Sequence, residues 1–97
     1  MFNKWALYLY NYFGYENIII FDSEGYCYNG DAINTLYQEN IAELQNESET
    51  LKVCNYNSMT TIAYIDITML TASEVQLLKA IIPFIEASVE LEEDLQA

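Results

Sequence analysis

The sequence predicts an α+β fold: a four-stranded antiparallel sheet built from two hairpins, with helices on one face, in the order α-β-β-α-β-β-α. Three observations carry that prediction. Asn17–Gly30 reads as strand, turn, strand, and residues 51–67 repeat the pattern. Thr71-Ala72-Ser73-Glu74 matches the capping box that opens a long helix. With 53% apolar residues in 97, the chain supports one packed domain, residues 1–97, able to bury a core without disulfide staples.

Residues 2–13 fit two periods. Phe2, Trp5, Ala6, Leu9 and Phe13 share a helical face, whereas Leu7 and Leu9 alternate with Tyr8, Tyr10 and Tyr12 as a strand would. Gly14, placed where a helix C′ residue belongs, decides for helix. Ile18-Ile19-Ile20-Phe21 is a β-branched apolar run. Asp22-Ser23-Glu24-Gly25 turns the chain, Tyr26-Cys27-Tyr28 returns, and Asn29-Gly30 ends the hairpin. Asp31 then caps a helix whose apolar stripe is Ile33, Leu36, Tyr37, Ile41 and Leu44. That helix dissolves in the polar stretch Gln45–Thr50. Leu51–Tyr56 and Thr60–Ile67 form the second hairpin around Asn57-Ser58-Met59.

The last helix has Thr71 as N-cap and Glu74 at N3, and runs for about twenty residues. It carries two apolar seams. Val75, Leu78, Ile82, Ile85 and Val89 form one; Leu77, Ile81, Phe84 and Leu91 form the other. Together they are wider than a surface helix needs. Either both enter the core, or one enters it and the other meets a second copy of the chain. Pro83 removes a backbone donor and predicts a kink near Lys79–Ile82. Acidic residues at a helix C-terminus oppose the macrodipole, which predicts fraying from about Glu90.

Charge is the main functional signal. Fifteen acidic residues face three lysines, with no Arg and no His, for a net charge of −12. Ten of the fifteen lie in two stretches without a base: Asp31, Glu39, Glu43, Glu47 and Glu49, then Glu86, Glu90, Glu92, Glu93 and Asp94. Uncompensated charge on so small a body costs stability through self-repulsion. These ten residues are the candidate partner-binding set. On a continuous helix Glu39, Glu43 and Glu47 stand four apart on one face, about 6 Å between neighbours. Such a row serves solvation in many proteins, but one with no interspersed Lys suits docking against a basic surface.

The same composition excludes other classes. DNA, RNA and anionic lipid require Lys and Arg to neutralise phosphate, so direct nucleic-acid or membrane binding is not expected. The run Trp5–Tyr10 is cut short by Asn11, which gives neither a signal peptide nor a membrane span. Two cysteines, Cys27 and Cys54, are too few for a disulfide framework, and the reading is a cytoplasmic protein with reduced thiols. Without His, Arg or a Gly-rich phosphate loop, no catalytic residue is assigned. Asp22-Ser23-Glu24-Gly25 lacks the remaining ligands of a calcium loop, so no metal or cofactor is expected. The tyrosines Tyr8, Tyr10, Tyr12, Tyr15, Tyr26 and Tyr28 serve packing or, where exposed beside acids, a protein-binding surface.

The stretch Ile18–Ala32, a hairpin leading into a helix, resembles the layout of small acidic proteins of bacteriophages and mobile elements. So does the Asn-, Tyr-, Ile- and Glu-rich composition. The resemblance covers residues 17–67 in layout and transfers no residue role. It implies a non-enzymatic inhibitor of a host nucleic-acid enzyme, of anti-CRISPR, anti-restriction or nuclease-inhibitor type, acting in the host cytoplasm. The carboxylates would take the place of phosphates in the basic cleft of a nucleic-acid-binding protein. Two alternatives stand beside it. One is a self-associating structural or adaptor protein, dimeric through the 72–91 helix. The other is an immunity protein or antitoxin that neutralises a basic toxin.

Overall fold

The computed structural model describes residues 2–46 and 48–96, without the side chains of residues 90 and 92–96. The fold is α+β. Five strands, β1 (Ile19–Asp22), β2 (Tyr26–Asn29), β3 (Ala32–Gln38), β4 (Thr50–Cys54) and β5 (Thr61–Asp66), form one antiparallel sheet in the order β3-β2-β1-β5-β4. The helices are α1 (Phe2–Phe13), α2 (Ile41–Leu44) and α3 (Ala72–Gln96).

Both expected hairpins are present, as β1–β2 and β4–β5. The expected helix from Asp31 is not. Residues 32–38 are a fifth strand, so the sheet has five strands where the sequence predicts four. The cause lies in Asn29-Gly30-Asp31-Ala32. Asn29 pairs with Ala32, which leaves Gly30 and Asp31 as a two-residue hairpin turn. Gly30 has φ +72° at its first central position, as a type II′ turn requires. A dipeptide that reads as a strand stop followed by a helix cap thus reverses the chain into another strand. The helical spacing of Ile33, Leu36 and Tyr37 is real, but all of β3 is exposed and packing never selects that period.

The sheet sorts its side chains by the two-residue alternation of strands. Ile18 and Ile20, with Tyr28, Val53, Ala63 and Ile65, face α1 and α3. From α1 come Phe2, Ala6, Leu9, Tyr10 and Phe13; from α3 come Leu78, Ile82, Ile85 and Val89. The stripe expected of α1 is buried at Phe2, Ala6, Leu9 and Phe13, with Trp5 half-buried against the core, and Tyr10 joins it. Phe21 and Tyr64 point to the opposite face, where Leu44 covers them with help from Ile41 and Cys27. The sequence predicts all helices on one face; α2 lies on the other.

Tyr10 fastens the layers. Phe21 pairs with Cys27, and one step further the Tyr10 hydroxyl is inserted between β1 and β2. It accepts from the Ile20 amide at 2.9 Å and donates to the Tyr28 carbonyl at 3.1 Å. Burial pushes its ionisation well above the ordinary tyrosine range.

At α3 the capping box forms as read: Thr71 Oγ1 accepts from the Glu74 amide at 3.2 Å, and Glu74 Oε1 accepts from the Thr71 amide at 3.0 Å. The helix continues through Pro83, which is exposed, so its missing donor lies on the wet side. Helical backbone extends to Gln96. Of the two α3 seams, the first enters the core at Leu78, Ile82, Ile85 and Val89, with Val75 half-buried. The second only touches it, through half-buried Ile81; Phe84 is 75% exposed, Leu91 61% and Leu77 40%. Among the described residues no helix is long and apolar enough to cross a membrane.

Candidate functional site: an acidic cavity on the sheet face away from α1 and α3

The face of the sheet away from α1 and α3 is only partly covered by α2, and a cavity of about 490 Å³ opens beside it. Its floor is apolar, made by Ile19, Phe21, Cys27 and Leu44. Among the described residues its acidic groups are Glu39, Glu43, Glu49 and Asp66, Tyr37 adds an aromatic ring, and no Lys lines it.

Each acid is held by a local device. Glu39 follows β3 and is pinned to the β1–β2 turn: its amide donates to the Gly25 carbonyl at 2.9 Å, and the neighbouring Gln38 Nε2 donates to the Glu24 carbonyl at 2.7 Å. That approach requires glycine. Gly25 has φ +92°, and a Cβ there would collide with the Glu39 carbonyl oxygen. The turn itself is organised by Asp22, whose Oδ1 accepts from the amides of Glu24 and Tyr26, both at 2.9 Å. Glu43 sits on α2, whose start is fixed by Asn40: its Oδ1 accepts from the Ala42 amide at 2.9 Å. Buried Leu44 clips that turn to Phe21 and Tyr64. Glu49 stands at the entry to β4, its carbonyl accepting from the Ile67 amide at 2.9 Å. Asp66 ends β5, opposite Ile19 of β1 and Thr50 of β4.

The Tyr37 hydroxyl donates to Glu39 Oε2. That hydrogen bond, and then the carboxylate's charge, raise the Tyr37 ionisation above its ordinary value. The exposed ring is thereby coupled to the acidic rim. The acids surround the cavity without converging on a point. Among the described residues no three His, Cys, Asp or Glu side chains come close enough to hold a metal ion. Spread carboxylates over an apolar floor fit an extended cation better than a compact one. The stem of an Arg or Lys lies on apolar surface while its head meets carboxylate.

The five candidate residues whose side chains are described, Asp31, Glu39, Glu43, Glu49 and Glu86, do not form one surface. Glu39, Glu43 and Glu49 line the cavity. Their meeting is not the helical row expected of Glu39, Glu43 and Glu47, because α2 spans only Ile41–Leu44 and Glu39 precedes it. Glu47 lies outside the described residues. Asp31 is exposed in the β2–β3 turn and caps no helix. Glu86 lies on α3, across the sheet from the cavity. Its Oε2 accepts from the Cys54 amide at 2.6 Å, beside the register shift between Val53 and Cys54 that disturbs the β4–β5 ladder. Glu90, Glu92, Glu93 and Asp94 belong to the last turns of α3, with side chains outside the described residues.

Sequence reasoning missed Asp66 and Tyr37. The signal for Asp66 was present in β5, where Tyr64 and Asp66 share a face by alternation. What linked that face to Glu39 and Glu49 was the placement of β1 between β2 and β5, which no local pattern specifies. Cys27 and Cys54 are both free thiols. Compared with known proteins, the chain matches no family model, no curated protein and no solved structure.

Proposed function

We propose that this chain is a non-enzymatic binding protein whose acidic cavity receives basic side chains of a partner protein. The observation that supports this most directly is the gathering of Glu39, Glu43, Glu49 and Asp66 around an apolar floor and the Tyr37 ring, with no Lys lining the cavity. Such a surface attracts Arg and Lys, orients an incoming basic patch and speeds its encounter. The aromatic and apolar lining supplies the contact area that charge alone does not. The partner class with the matching surface is a protein that binds nucleic acid through a basic cleft. The layout and composition shared with small acidic phage proteins favour a host defence or DNA-processing protein, met in the host cytoplasm. In this reading the carboxylates stand where phosphates would.

An Arg-rich peptide, compared with its citrulline analogue, tests the cavity by calorimetric titration. Binding by the Arg peptide is expected to fall about tenfold or more in a Glu39→Gln/Glu43→Gln/Glu49→Gln variant. A charge-matched control, Glu16→Gln/Glu24→Gln/Asp31→Asn, should lose far less. Equal losses in the two variants would reduce the effect to net charge and remove the cavity from the proposal. Nucleic acid should compete for the partner protein once that partner is in hand.

A further inference from the structure

We infer that α3 pairs with α3 of a second copy, antiparallel, through its solvent-facing apolar stripe. The stripe is Leu77, Ala80, Phe84, Ala87 and Leu91, every one exposed although the helix already buries Leu78, Ile82, Ile85 and Val89 on its other side. The spacing is three and four residues in alternation, the period of a helix–helix seam. Large and small side chains also alternate: Leu, Ala, Phe, Ala, Leu.

That alternation selects the direction of pairing. Parallel, in-register helices would set Phe84 against Phe84 and each Ala against its own copy, crowding one layer and leaving gaps in the next. Antiparallel helices set large against small, which lets the layers interdigitate at close approach. With the two-fold axis passing between Phe84 and Ala87, Phe84 meets the second copy's Ala87 and Leu91 meets the second copy's Ala80, while Leu77 falls at the end of the seam, level with position 94 of the second copy. Both contacts then occur twice by symmetry.

Charge points the same way. The only base on α3 is Lys79, in its first half; its second half holds Glu86, Glu90, Glu92, Glu93 and Asp94. Parallel pairing would bring two acidic ends together. Antiparallel pairing separates them, aligns the helix dipoles favourably, and brings Lys79 level with the turn that carries Glu90 and Glu92 of the other copy. This charge and size pattern is what commits the stripe to a second copy of the same chain. The stripe lies on the helical side of the sheet and the acidic cavity on the other, so a dimer would leave both cavities open.

Sedimentation equilibrium over a wide concentration range tests the inference, and a reversible dimer is expected. Phe84→Glu, at a position 75% exposed in the single chain, should keep the circular dichroism spectrum and weaken self-association about 30-fold or more. Direction is read by disulfide trapping in a Cys27→Ser/Cys54→Ser background. Ala80→Cys chains mixed with Leu91→Cys chains should cross-link to each other. Neither should cross-link to itself, since like positions then stand about 16 Å apart along the helix axis. A chain that stays monomeric at the highest concentration, a dimer indifferent to Phe84→Glu, or self-cross-linking by either cysteine variant alone would overturn the inference.

Discussion

Tyr10 does more for this fold than its place in an aromatic-rich helix suggests. Its ring packs in the core from α1, stacked on Tyr15, while its hydroxyl bridges Ile20 of β1 and Tyr28 of β2. Removing that hydroxyl leaves a buried amide and a buried carbonyl without this partner. Tyr10→Phe should therefore cost about 1–3 kcal/mol in denaturant unfolding, more than a lost surface hydrogen bond. The same residue makes the protein sensitive to alkali. Burial raises the ionisation of Tyr10 above its unfolded value of 10.0, and that of Tyr28 to about 12. Below pH 10 both states keep the protons and the stability is fully present. Above it, the unfolded chain releases protons that the native chain retains, so stability declines as pH rises toward the folded values. Urea melts between pH 8 and pH 11 should show that decline, and Tyr10→Phe should flatten it in part.

At the scale of elements, the junction between the β1–β2 turn and the end of β3 decides whether the cavity exists. Gly25 works here by lacking a side chain: its carbonyl accepts from the Glu39 amide, and its open Cα face is where the Glu39 carbonyl lies. Gly25→Ala should destabilise the chain by about 1–3 kcal/mol, from the positive φ and the collision together. Amide shifts in a heteronuclear NMR spectrum should spread from residue 25 to residues 37–43 and leave α3 unmoved. Between Cys27/Asn34 and Tyr26/Gln38 the register jumps, so that Thr35, Leu36 and Tyr37 are extra to the β2–β3 ladder. Leu36, 97% exposed, points out from this bulge, while Tyr37 turns toward Glu39. Bulges re-aim side chains in this manner.

For the whole molecule, the balance is between a well-filled core and a net charge of −12. Self-repulsion opposes compaction and is screened within about 10 Å at 0.1 M salt. The melting temperature is therefore expected to rise as NaCl increases from a few millimolar to physiological levels. The same salt series should weaken capture of a basic partner, because that attraction is screened too. Thermal unfolding followed by circular dichroism checks the first trend and titration at matched salt the second. A melting temperature independent of salt would mean that the carboxylates are too far apart on the folded surface for their repulsion to matter.

What the sequence determined by itself was local. The turns of the β1–β2 and β4–β5 hairpins, the Thr71–Glu74 cap, the α1 stripe and the inner seam of α3 all follow from interactions between residues a few positions apart. Short-range chemistry is readable wherever the neighbours are neighbours in the chain. The acidity was equally plain, since composition needs no geometry. The strand identity of residues 32–38 was not, because a stripe that fits a helix means little on an edge that buries nothing, and the Gly30-Asp31 turn overrode it. Tertiary structure alone decided which acids are companions. It set β1 between β2 and β5, so Glu39 and Glu49, ten residues apart, share a cavity with Asp66, whereas Glu86 was taken across the sheet to hold the Cys54 amide. Strand order is fixed by burying one face of the whole sheet at once, and the side chains on the other face inherit positions they did not select.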